Sequence, residues 1–362
     1  MKKVLILGGY GNFGKRIARA LTGKGIAVIV AGRSREKAQA FVNTLQSSFA
    51  EAAALDVTLD FDSRLLSLRP AIVINTCGPF QTRNYDVARA CIAAGVHYID
   101  LADGREFVVG ITVLDADAKA KGVTVVSGAS TVPGLSSAVV QRYRDEFSAI
   151  ESLVFGISPG QQAERGRATA QAILSYVGKA LKAVPGDTRT RYGWQDIYRQ
   201  SYPVIGKRWM ANCDIPDLDL LPLRYGIRSI RFSAGLELGF MHLGLWTLSW
   251  LVRLGAPLNL PRHAALLLKL SSRFDRLGTA DGGMHMILRG KDTQARAYER
   301  QWFVIAKHGD GPQIPCIPAI LLTKKLLSAE TMPAGAYPCV GLITLDEYMR
   351  ELQPFSIEQI TV

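Results

Sequence analysis

The chain has little that could staple it or hold metal. Its 5 cysteines (Cys77, Cys91, Cys213, Cys316, Cys339) are odd in number and scattered, with no Cys-x-x-Cys pair. That argues against a disulfide framework and a cysteine zinc site, and reads as reduced thiols in a reducing compartment. The 5 histidines (His97, His242, His263, His285, His308) lie far apart, so no metal site is expected. The 43 Lys+Arg exceed the 31 Asp+Glu by 12, yet they form no basic block and no nucleic-acid-binding motif. Nucleic acid is therefore not an expected partner, and the surplus suits a solvated surface or phosphate-bearing ligands. Repeats and low-complexity tracts are absent as well. The first apolar run, Val4 to Leu7, is too short for a signal peptide, so it reads as a buried strand of a cytoplasmic protein.

No apolar run reaches the ~20 residues needed to cross a bilayer. The longest candidate, 238–252, reads LGFMHLGLWTLSWLV, with His242 as its one ionisable group. It suits a core or dimer-interface helix. The rival reading is a membrane-touching face, with Trp246, Trp250, Arg253, Arg262 and Lys269 as anchors.

What is present is a 48% apolar, 20% charged chain of 362 residues, enough for about two domains. In the first 130 residues apolar strand-like runs alternate with amphipathic helices. The expected strands are Val4–Leu7, Ala27–Ala31, Ala53–Asp56, Ala71–Asn75, His97–Leu101 and Thr124–Ser127. The helices are Lys15–Gly23, Arg35–Leu45, Asn84–Ala94 and Val113–Lys121. This rhythm implies a doubly wound parallel sheet covered on both faces, of the α/β class. After about Ser130 it changes. Strands are expected at Ile150–Ile157 and Arg228–Ser233, with an antiparallel pair at Gly283–Gly290 and Arg300–Lys307. Helices follow at Ala168–Leu181, Ala319–Leu327 and Leu345–Leu352. These elements make a second, α+β domain, and the stretch from Val184 to Arg224 shows no readable pattern.

The first strand runs into Gly9-Tyr10-Gly11-Asn12-Phe13-Gly14, a Gly-x-Gly-x-x-Gly comb that opens a helix. In that context the first glycine permits the tight turn, the second lets a pyrophosphate reach the backbone, and the third lets helix and strand pack closely. The helix N-terminus offers unpaired N–H groups to phosphate. An NAD site places a carboxylate about 20 residues on. Here the second strand ends Gly32-Arg33-Ser34-Arg35, and Glu36 already lies in the next helix. A guanidinium grips phosphate bidentately, so the tip suits the 2′-phosphate of NADP. Asp56 and Val57 end the third strand on the adenine side. Cys77-Gly78-Pro79-Phe80 follows the fourth, where Gly78 allows close approach and Pro79 keeps the chain extended.

The segments GGYGNFG, AGRSREKA, NTCGPF, CIAAGVHYIDLADGREF and SGASTVPGLSS together resemble the saccharopine dehydrogenase-like NADP-binding oxidoreductases. SPGQQAERGRATAQAILSYVG and GPQIPCIPAILLTKKLL extend the resemblance over nearly the whole chain. It implies a Rossmann domain at 1–130 and a substrate and dimerisation domain at 131–317. It also implies a C-terminal segment, 318–362, that returns to the first domain, and a homodimer. It places pyrophosphate on Gly9, Gly11 and Gly14, and the 2′-phosphate on Arg33 and Ser34. Asp56 falls near adenine and Cys77–Phe80 near the nicotinamide ribose. The family reduces both imines and lipid-like enoyl compounds, so it names no substrate, and segment 238–252 leans toward an apolar one.

None of the 12 tyrosines has lysine four residues on, which disfavours the short-chain dehydrogenase mechanism. The remaining catalytic candidates are Tyr98, Asp103 and Arg105, with Asp100 beside them. Tyr98 and Asp100 end a buried strand and suit a structural role, whereas Asp103 and Arg105 sit in the loop beyond. Arg165 and Arg167, before a predicted helix, are candidates to clamp an anionic substrate group. Two functions stay open: an NADP(H)-dependent oxidoreductase acting on C=N, C=O or C=C, and a non-catalytic NADP(H) sensor.

Overall fold

The computed structural model describes residues 2–81, 83–328 and 332–362. The first six strands are β1 (Lys3–Leu7), β2 (Ala27–Gly32), β3 (Ala50–Ala54), β4 (Ile72–Asn75), β5 (His97–Asp100) and β6 (Thr124–Ser127). Then come β7 (Phe147–Ser158), β8 (Tyr198–Tyr202), β9 (Gly206–Asn212), β10 (Ser229–Leu236), β11 (Gly282–Asp292) and β12 (Ala297–Ala306). Two late strands, β13 (Gly335–Pro338) and β14 (Ile357–Thr361), join one sheet each. The chain divides into two units, 1–135 with 313–348, and 136–312 with 349–362.

The first unit holds a seven-stranded parallel sheet in the order β13-β6-β5-β4-β1-β2-β3. Val4 to Leu7 and Ile72 to Ile74 are almost wholly buried, as strands covered on both faces must be. The strand order reverses direction between β1 and β4, and in such sheets ligands bind at that point, outside the carboxyl ends. The comb follows β1 and Thr76–Phe80 follows β4, so both loops stand at the switch point.

Helix Asn12–Thr22 begins three residues earlier than its periodicity suggested, because Gly11 is extended and serves as its N-cap. β3 is likewise earlier than expected, paired from Val28↔Ala50 to Gly32↔Ala54. The expected helix Val113–Lys121 splits into a 3₁₀ turn, Ile111–Leu114, and a helix, Asp115–Ala120.

The second unit holds a mixed seven-stranded sheet, β14-β12-β11-β7-β10-β9-β8. β7 and β10 pair in parallel and the remaining pairs are antiparallel. The expected pair β11–β12 is present, running from Gly282↔Ala306 to Lys291↔Ala297. The unread stretch contains hairpin β8–β9 and helix Asp217–Tyr225.

The segment expected to return whole, 318–362, divides instead. Helix Ile317–Leu327 and β13 belong to the first unit, whereas β14 pairs with β12 in the second. The physical reason is hydrogen bonding at a sheet edge: β12 offers an open edge that β14 fills from Ala306↔Ile357 to Trp302↔Thr361.

Candidate functional site

The turn after β1 is made by Gly8, at φ +73°, in the left-handed region that favours glycine. The tight-turn role expected of Gly9 therefore falls on its neighbour. Gly9 is required by crowding: a Cβ there would lie 2.9 Å from the Ile6 carbonyl oxygen and 3.0 Å from Val30 Cγ1. At Gly14 a Cβ would come within 2.2 Å of the Gly8 oxygen, so helix and strand touch as the motif demands. At Gly11 the one close neighbour would be the Gly8 oxygen, at 3.0 Å, which leaves that backbone open on its other side. Gly11 N–H donates to Gly8 at 2.8 Å and Lys15 N–H to Gly11 at 3.0 Å. Between them, the N–H groups of Phe13 and Gly14 stand in the helix's first turn, where no intrahelical acceptor exists. Asn12 takes the Arg16 guanidinium onto its side-chain oxygen. The turn thus has the shape and the donors that a pyrophosphate needs.

Tyr10 reaches from the comb to the tip of β2. Its hydroxyl accepts the Ser34 N–H at 3.2 Å, and its ring lies so close to Gly32 that a Cβ there would sit 2.4 Å from it. Ser34 caps helix Arg35–Leu45, its Oγ accepting the Lys37 N–H at 3.2 Å. Arg33 is exposed beside it. Glu36 is inside the helix, yet its carboxylate turns back to accept the Ser34 hydroxyl at 2.8 Å, so one negative charge borders this cationic tip. Its own backbone N–H and the Ser34 hydroxyl hold that carboxyl below its ordinary range.

Asp56 lies past β3 in a tight turn, its Oδ1 accepting the N–H of Thr58 at 3.0 Å and the hydroxyl at 2.8 Å. These bonds, with the charges of Arg33 and Arg83, keep its carboxyl ionised. Val57 packs against the core beside it.

Beyond β4, the Asn75 side chain organises the next loop. Its Oδ1 accepts the Cys77 N–H at 3.0 Å and its Nδ2 donates to the Tyr98 hydroxyl at 3.1 Å. Thr76 ties the loop to β1 through the Leu7 carbonyl at 2.8 Å. The Gly78–Pro79 bond is cis. Burial pushes the Cys77 thiol up to about 11, so it is a neutral wall rather than a nucleophile. The Phe80 ring meets Phe107 at 5.3 Å, and Gly104 stands against the Phe80–Gln81 backbone. The loops after β4 and β5 therefore lie side by side.

The catalytic candidates are placed unequally. Tyr98 is a core residue of β5, and burial raises its phenol well above the ordinary value. Asp100 is fully buried and accepts three donors on one oxygen: Ala102 N–H at 3.0 Å, and Gly128 N–H and Ser127 hydroxyl at 2.9 Å each. Burial outweighs those donors and raises it to about 6. Asp103 is partly exposed in the following loop and accepts from Gln81 Nε2 at 3.0 Å, and desolvation raises its carboxyl too. Arg105, in the first turn of helix Arg105–Gly110, is buried.

In the second unit, Arg165 and Arg167 do not act as a pair. Arg165 is committed to Asp275 at 2.6 Å and also donates to Ser271 and Gln161, whereas Arg167 is exposed at the start of helix Arg167–Tyr176. Sequence reasoning gave no individual role to Gly8, Gly32, Asn75 or Thr76. The doubled glycine was a legible signal; the other three depend on neighbours from distant strands. Among the described residues no cluster of His, Cys, Asp and Glu could hold a metal ion.

Residues 4–126 match the family described as the saccharopine dehydrogenase NADP binding domain. The whole chain is similar in structure to saccharopine dehydrogenase (L-Glu forming) from Saccharomyces cerevisiae, with 16% identity, 100% of both chains covered and a TM-score of 0.69. An amine dehydrogenase from Mycobacterium smegmatis is similar over 96% of this chain and 95% of that one, with 15% identity and a TM-score of 0.50. At these identities the likeness is one of fold. No curated protein matches in sequence. The glycine cradle and the phosphate-suited tip of β2 agree with the family match: residues 4–126 form an NADP-binding domain of the saccharopine dehydrogenase type.

Proposed function

We propose that the protein is an NADP(H)-dependent oxidoreductase that moves a hydride to or from a C=N, C=O or C=C bond. The observation that carries the reading is the comb with Arg33 and Ser34 at the neighbouring strand end, inside a matched NADP-binding domain. NADPH, when bound, supplies the hydride. The chain's part is to hold and orient. Gly9, Gly11 and Gly14, with the Phe13 and Gly14 N–H groups, cradle the pyrophosphate. Arg33 and Ser34 take the 2′-phosphate, Asp56 and Val57 border the adenine, and Cys77 to Phe80 wall the nicotinamide ribose. Asp103 is the best-placed group to hold a proton, because desolvation raises its carboxyl and its loop adjoins Phe80–Gln81. Arg105 is the buried cation next along this loop, and Arg167, exposed in the second unit, is the candidate for an anionic substrate group.

A non-catalytic NADP(H) sensor is the second reading, favoured by the burial of Tyr98, which removes that candidate phenol from proton transfer. Steady NADPH oxidation with any member of a carbonyl, imine and enoyl panel establishes the enzyme. Tight NADPH binding with no turnover across the panel establishes the sensor.

A further inference from the structure

The apolar segment 238–252 folds as helix Gly239–Arg253 in the second unit, and its inner side is well employed. His242 and Ser249 are buried, and Leu245, Trp246 and Val252 pack on the cluster around Trp194 and Leu174. Its other side is not. Phe240, Leu251 and Leu254 are exposed at helical spacing, Leu254 by 78%. Helix Ala264–Ser272 repeats the pattern. Its inner Ala264 and Leu267 join the same cluster, while Leu266, Leu270 and the following Phe274 are exposed. The Phe240 and Phe274 rings meet at 5.2 Å, so the two stripes form one surface. An apolar surface of this extent marks an interaction site.

Its charge is of one sign. From Leu238 to Phe274 the chain contains no Asp or Glu. Arg262, Lys269 and Arg273, with Arg276 just beyond, are exposed and form no ion pair among the described residues. Asp275, the first acid after the run, is already bound to Arg165. A twofold contact between two copies would bring this unopposed positive face against itself. An anionic bilayer complements it, with apolar side chains entering the acyl boundary and cations meeting headgroups. Among the described residues no helix is long and apolar enough to cross a membrane. We infer that the surface formed by Phe240–Leu254 and Leu266–Leu277 docks the protein on anionic lipid bilayers from one side.

The test is flotation of the full chain with phosphatidylcholine vesicles, with and without phosphatidylglycerol. The expected result is flotation with the anionic vesicles, weakened by salt, and little with neutral ones. Leu251→Asp/Leu254→Asp and, separately, Lys269→Glu/Arg273→Glu each lower partitioning at least about tenfold. All four positions are exposed, so the melting temperature stays within a few degrees of the parent's, which separates lost docking from lost folding. Failure of the parent chain to float with anionic vesicles overturns the inference. So does equal flotation with neutral ones. A dimer that Leu254→Asp dissociates, in a chain that does not float, assigns the surface to a second copy instead.

Discussion

At the tip of β2, Arg33 and Ser34 stand at the start of helix Arg35–Leu45, with Glu36 as the opposing charge. A charge-assisted hydrogen bond contributes about 1.5–3 kcal/mol. Arg33→Ala should therefore weaken NADPH binding about ten- to a hundredfold and leave NADH nearly unchanged, as read by fluorescence titration. Equal affinities for the two cofactors in the parent protein would remove the assignment. Glu36→Gln should act the other way, tightening NADPH a few-fold by removing the carboxylate from Ser34. Asp100 carries a pH signature. Its folded pKa is raised to about 6, against about 3.9 for an unfolded aspartate. Between those values the folded chain holds a proton that the unfolded chain has lost. Asp100 therefore lowers stability as pH rises from about 4 to 6, by roughly 3 kcal/mol, and adds no slope above that. Urea unfolding across this window should show the slope diminished in Asp100→Asn.

Among the elements, β11 carries a group that sequence periodicity could not explain. His285 is buried with Nδ1 2.8 Å from the Tyr202 hydroxyl and Nε2 3.3 Å from that of Tyr198, both on β8. Burial depresses it to about 3, so it stays neutral in the folded protein at pH 7. An unfolded histidine titrates near 6.5. The stability this neutral His285 provides is present above about pH 6.5 and lost as pH falls toward 3. The deficit of His285→Gln relative to the parent should thus be largest at pH 7 and shrink at pH 4.5, measured by thermal unfolding. An equal deficit at both values would disprove it. Neither Tyr198 nor Tyr202 was legible as a partner, because hairpin β8–β9 lies within a stretch without clear alternation. By contrast, strands buried on both faces, such as β1, announced themselves as continuous apolar runs.

For the whole molecule, the last fifty residues serve both units. Helix Ile317–Leu327 buries Ile317, Ile320, Leu321 and Leu322 in the first, while β14 completes the edge of the second. Four such side chains contribute about 6–12 kcal/mol at roughly 1.5–3 each. That is comparable to the whole stability of a domain, about 5–15 kcal/mol. A chain ending at Pro312 should therefore lose both NADPH binding and its cooperative melting transition; retention of either would show that the first unit folds without its return segment. Local sequence by itself determined the comb, the cationic tip of β2, the parallel-sheet rhythm of the first 130 residues and the apolar helix at 238–252. Each is written in neighbouring residues through turn, cap or period. Only the tertiary structure decided that Gly8 makes the turn, that Tyr10 rests on Gly32 and that Asp275 takes Arg165. It also decided how the C-terminal segment divides and which side of the apolar helix is left uncovered. Those outcomes depend on contacts between residues far apart in the chain, where packing and hydrogen bonding override local pattern.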